Sequence, residues 1–157
     1  MPVLSYKDSV KYNTLFLDAI LAEAADKTDS AYTLLKQCIE LNPNAAEAYY
    51  FLAPFESDKK NDSLAIAYLT KAVELSPDNE DYQERLAEYY INARQYSKAI
   101  DVYEALVARH GDRTDVLQLL LQLYNQQKDY DNMLRTLARL EQNDGNSEAL
   151  TMSKVHV

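Results

Sequence analysis

Few residues in this chain are of types that do chemistry, and none stands in a catalytic spacing. There are two histidines and one cysteine. His110 lies beside Gly111 at an expected helix end, where its role is a favourable last-turn contact with the helix dipole. His156 is the penultimate residue. A lone Cys38 rules out an internal disulfide framework and a cysteine-based zinc site. The pairs Asp26/Asp29 and Asp129/Asp131 resemble fragments of calcium loops, but nothing near them completes an oxygen ligand set. Turn and capping duty accounts for them. With two glycines in the chain there is no G-x-x-x-x-G-K or G-x-G-x-x-G, and H-E-x-x-H and C-x-x-C are absent too. The expectation is no enzyme, no cofactor and no metal.

Charge narrows the partners. Sixteen basic and twenty-five acidic side chains give −9 in 157 residues. A phosphate-backbone binder gains affinity from counterion release onto a basic surface, so nucleic acid is disfavoured. No apolar run approaches the roughly 18 residues that span a bilayer, so no membrane insertion is expected. The opening Met1-Pro-Val-Leu-Ser-Tyr-Lys-Asp8 lacks a signal-peptide pattern. The compartment stays open: cytoplasm, or periplasm if a leader has been trimmed. With 47% apolar and 26% charged residues the chain has the composition of a folded domain.

The elements that would carry any site repeat at 34 residues. Pro43 and Pro77 are 34 apart in Ile39-Glu-Leu-Asn-Pro43-Asn and Val73-Glu-Leu-Ser-Pro77-Asp, and the next steps land on Gly111 and Gly145. Asn44, Asp78, Asp112 and Asn146 form one ladder of expected N-caps, and Asp29, Ser63, Ser97 and Asp131 a second. Small residues recur at Ala31, Ala65 and Ala99, broken by Met133, and bulky ones at Leu35, Leu69, Tyr103 and Leu137. Two cap ladders per period predict two helices per repeat, and Ala65, Tyr68, Leu69, Ala72 and Val73 show helical spacing. No segment reads as a strand. Cys38 shares the slot of Ala72, which predicts an inert core thiol.

Ala46-Glu-Ala-Tyr-Tyr-Phe-Leu-Ala53, with Ala65, Leu69, Ala72 and Pro77, resembles a tetratricopeptide repeat. Leu86-Ala87, Tyr90, Tyr96, Ala99-Ile100 and Tyr103 repeat the pattern, as do Leu120, Tyr124, Tyr130 and Leu137. Asp18 stands where a leucine is usual, and Leu121 and Met133 replace small residues. The resemblance implies an all-α, right-handed α-solenoid of helix-turn-helix hairpins. The expected organisation is an N-terminal lead over 1–11, repeats over 12–45, 46–79, 80–113 and 114–147, and a tail over 148–157. Ala149, Met152 and Val155 in that tail mark the start of a further helix or an imperfect cap.

In the family the first helices of successive repeats line a concave groove. By resemblance, the groove draws on Asn13, Phe16, Ile20 and Glu23, then Glu47, Tyr50, Pro54 and Asp58. It continues through Asp81, Glu84, Glu88 and Asn92, then Asp115, Gln118, Gln122 and Gln126. Those sixteen positions hold seven carboxylates and no Lys or Arg. Lys36, Lys71, Lys98, Arg135 and Arg139 map to second helices. Glu84 and Glu88 lie four apart and repel unless a cation sits between them. The expected function is a protein–protein interaction scaffold taking a basic or polar peptide in this groove, anchored on Phe16, Ile20 and Tyr50. Pro54 removes a helical donor and frees the Tyr50 carbonyl for a ligand. The alternative is a structural, oligomerising or regulatory segment of a larger multidomain protein, with self-association through the C-terminal helix.

Overall fold

A computed structural model describes residues 4–155, with side chains through residue 144. Eight helices and no strand are found among the described residues: α1 (Tyr6–Ala24), α2 (Thr28–Leu41), α3 (Ala46–Asp58), α4 (Asp62–Leu75), α5 (Glu80–Asn92), α6 (Tyr96–Arg109), α7 (Thr114–Gln126) and α8 (Tyr130–Val155). They form two compact units, one ending at Tyr89 and one beginning at Tyr90.

In the first unit α1 packs on α2, α2 on α3 and α3 on α4. The small-residue ladder lets these backbones approach: Ala19, Ala31, Ala48, Ala53, Ala65 and Ala72 are all fully buried. Leu35, Leu52 and Leu69 fill the space between, and truncating one such leucine to alanine costs about 2–5 kcal/mol. Cys38 is buried among Tyr12, Ala45 and Ala48, with Leu15, Phe16, Ile39 and Leu41 against that cluster. In the second unit α6 packs on α7 and α7 on α8. Ala99, Tyr103, Leu106, Val116, Leu117 and Leu120 are its buried centre.

The helix ends depart from expectation. α1 begins at Tyr6, so part of the expected lead over 1–11 is helical. Its cap is Ser5, whose Oγ accepts from the Asp8 N–H at 3.1 Å. Asp29, Ser63, Ser97 and Asp131 lie one residue inside their helices. As first-turn residues the two aspartates complement the helix dipole instead of capping. The residues that do cap are Asn79, accepting from the Tyr82 N–H at 3.1 Å, and Asp129, accepting from the Asn132 N–H at 3.3 Å. Asn44, Asp78 and Asp112 sit just upstream of the cap positions. α8 runs unbroken through Gly145 to Val155, so Gly145 stops nothing and no separate tail helix begins at 148. The side chains of Ala149, Met152 and Val155, and all of His156, lie outside the described residues.

The sequence did not advertise the turns inside the hairpins. Asp26, Lys60, Arg94 and Lys128, spaced by 34, all have φ between 58° and 61°. Each is followed by the six-residue closing bond of a Schellman turn: Lys27 N–H to Ala22 O, Asn61 to Glu56, Gln95 to Tyr90 and Asp129 to Tyr124, at 2.8–2.9 Å.

Candidate functional site

α5 builds one side of a charged depression. Asp81, Glu84, Arg85 and Glu88 recur at i, i+3, i+4 and i+7, so they share one face of the helix. Tyr50 of α3 supplies the other side, and the five residues line a depression of about 290 Å³. Pro54, one turn beyond Tyr50, lies inside α3 without ending it. The Tyr50 ring stacks on Tyr82 with centroids 4.8 Å apart and meets Phe51 edge-on at 5.4 Å. These contacts fix the ring at the depression's wall.

The electrostatics are mixed, and less acidic than the sequence suggested. Arg85 lines the depression, and its guanidinium bonds Glu88 at 3.3 Å with both side chains half exposed. Glu88 therefore already has a cationic partner within the chain. A hydrogen bond with Tyr50, and the charges near it, hold the Arg85 guanidinium above its usual range. Burial first, then Glu47, Tyr50 and Asp81, push the Tyr82 phenol up. Burial likewise raises Tyr89, with Asp58, Tyr50 and Glu88 adding to it against the pull of Arg85. These phenols stay protonated donors at neutral pH.

The other candidate residues divide between the two units. Glu47 accepts the Tyr12 hydroxyl, so its carboxylate is already engaged. Phe16 stacks on Tyr12 at 6.0 Å and tilts against Phe51 at 5.7 Å, which makes it partly a core residue. Ile20 is half-buried, while Asn13, Glu23, Pro54 and Asp58 are exposed. In the second unit Asn92, Gln118, Gln122 and Gln126 are exposed. Asp115 takes a bidentate pair from Arg113 at 2.9 and 2.8 Å, and Arg113 lowers its pKa. Lys36, Lys71 and Lys98 stand on α2, α4 and α6, and Arg135 and Arg139 on α8.

The main residues missed from sequence are Arg85, Tyr82 and Glu56. Arg85 was findable, being i+4 from Asp81 and i−3 from Glu88. Glu56 is a buried carboxylate accepting from the Tyr32 hydroxyl at 2.5 Å and the Asn61 amide at 3.3 Å. Nothing in its own segment announces a buried charge. Among the described residues no group of three His, Cys, Asp or Glu side chains could hold a metal ion. No helix among them is long and apolar enough to cross a membrane.

Two tetratricopeptide repeat profiles match the sequence, over residues 16–80 and 63–123, and together they run unbroken across more than half of it. The chain belongs to the tetratricopeptide repeat family. A crystal structure of MamA superposes with a TM-score of 0.70 at 20% identity, covering 88% of this chain and 81% of that one. A second MamA crystal structure gives 0.72 at 20% identity, over 91% and 78%. A mutant O-GlcNAc transferase from Thermobaculum terrenum gives 0.61 at 18% identity, over 77% of this chain and 23% of that one. At these identities the likeness is one of fold, and the fold is an all-α solenoid. No curated protein sequence matches the chain. As a tetratricopeptide repeat protein it is a scaffold for protein–protein interaction, of a kind that is typically non-catalytic.

Proposed function

We propose that this scaffold, read as repeats over 12–45, 46–79, 80–113 and 114–147, binds a basic or donor-rich extended peptide along its first helices. The observation that carries the reading is the depression between Tyr50 and the α5 row Asp81, Glu84 and Glu88. Three carboxylates flank a fixed aromatic wall, an arrangement suited to a guanidinium or ammonium group lying on the ring and paired at its edge. Pro54 deprives the Tyr50 carbonyl of its helical donor, leaving an acceptor on the same residue for a peptide N–H. Phe16 and Ile20 serve as apolar anchors in the first unit, and Asn92, Asp115, Gln118 and Gln122 are the polar candidates on the second unit's own helices.

The test is a fluorescence-anisotropy titration with a labelled arginine- and lysine-rich peptide. Glu84→Lys/Glu88→Lys should lose at least tenfold in affinity, and wild-type affinity should fall with added salt. Unchanged binding in the double variant, with helicity intact, sinks the reading.

A second reading, self-association through the C-terminal helix, is favoured by the apolar side chains that α8 exposes, Tyr130, Leu134 and Leu137.

A further inference from the structure

Exposed apolar residues of α1 and α8 share repeat positions with residues of the interface by which this chain stacks its own hairpins. On α1, Tyr6, Val10, Leu17 and Leu21 stand within one helical stripe, and Leu17 and Leu21 are each 58% exposed. One period later their slots hold Phe51 and Phe55. Those residues close the hairpin interface inside the first unit: Phe51 meets Phe16 of the preceding first helix at 5.7 Å, and Phe55 meets Tyr32 of the preceding second helix at 5.9 Å. Phe55 is only 8% exposed in consequence. So α1 carries the leading face of a hairpin, with Leu17 and Leu21 largely exposed among the described residues.

α8 carries the second-helix part of the opposite half, while the slot of Phe16 falls on α7 at Gln118. Leu134 occupies, three periods on, the slot of Tyr32, the residue that receives Phe55. Leu137 occupies the slot of Leu35 and Leu69; those two have no exposed surface, whereas Leu137 is 38% exposed. The polar pair of the internal interface, Tyr32 and Glu56, maps across such a joint to Leu134 and Ala22. Stacking there strands neither a hydroxyl nor a carboxylate of that pair.

We propose that a second copy of this chain docks α1 onto the α8 face of the first, head to tail, continuing the internal stacking across molecules. This rests on the self-association reading and names the surface that α8 receives. Because the two faces differ, the contact is heterologous and propagates as an open chain unless its rotation closes a ring. Asp18 limits its strength. It occupies the slot of Leu52, Leu86 and Leu120, which are all buried, so docking takes a carboxylate out of water.

Sedimentation velocity of the full chain tests this with two variants at exposed positions, Leu17→Glu/Leu21→Glu on α1 and Tyr130→Glu/Leu134→Glu on α8, each checked for wild-type helicity. Wild type should grow in mass with concentration, and each variant alone should stay monomeric. An equimolar mixture of the two should form a two-chain species and nothing larger, since one intact joint remains per pair. Asp18→Leu should tighten wild-type association at least tenfold. If the α1 variant alone still associates while the α8 variant does not, α8 pairs with itself; the second reading then stands and this inference fails. If the wild type is monomeric throughout, both fail. A mixture that stays monomeric, or an Asp18→Leu variant no tighter than wild type, also overturns the inference.

Discussion

The Cys38 thiol occupies the slot that Ala72 and Leu106 fill one and two periods later, with no exposed surface at any of the three. Burial, with Glu47 adding to it, pushes its pKa up to about 11. It should therefore ignore a thiol-specific reagent at pH 8 and react only as the chain unfolds; rapid modification of the native protein would contradict this. The buried tyrosines act in the same direction. Burial first, then Glu47 for Tyr12 and Glu104 for Tyr124, raise both phenols well above their ordinary value near 10. A folded-state pKa above the unfolded one means the stabilisation is complete below about pH 10 and is lost as pH climbs through the titration. Thermal midpoints should accordingly fall above about pH 9, where unfolded Cys and then Tyr begin to ionise. Tyr12→Phe/Tyr124→Phe should flatten that fall; an unaltered slope would mean other groups set it. At neutral pH each replacement removes one hydrogen bond to a carboxylate, Glu104 keeping its pair with Arg139, at about 1 kcal/mol apiece.

At the scale of elements, the core ladders were legible because a small residue between close-packed helices has few substitutes. Ala31, Ala65 and Ala99 recur for that reason. The caps were legible only to within a residue or two, because Asp and Ser suit both the cap and the first turn. The Schellman ladder at 26, 60, 94 and 128 was invisible because none of its members is glycine. That composition carries a cost of roughly 1 kcal/mol for each side chain held in the left-handed region. Arg94→Gly should raise stability by about 0.5–1 kcal/mol, a shift of a few degrees in Tm; a lower Tm would show that the Arg94 side chain contributes more than its backbone costs. Pro54 costs α3 a hydrogen bond, so Pro54→Ala should also stabilise, by up to about 3 kcal/mol. If the Tyr50 carbonyl binds peptide N–H groups, the same variant should bind the basic peptide more weakly. Stabilisation without loss of binding would remove that carbonyl from the account.

For the molecule as a whole, a charge of −9 repels itself and attracts cations at long range. Added salt should therefore raise the thermal midpoint while weakening the basic-peptide complex, two opposite responses from one cause. The groove positions taken from the family resemblance overstated the acidic charge. Arg85 and Arg113 answer Glu88 and Asp115 from positions the first-helix spacing passed over. The proposed contact centres on the depression that Tyr50 forms with the α5 row. The most direct test is an amide-resolved NMR titration of the full chain with an arginine- and lysine-rich peptide. The account predicts shifts centred on Tyr50, Asp81, Tyr82, Glu84 and Glu88, saturating together and fading with salt. Shifts confined to α1 and α8, or none at all, would contradict it.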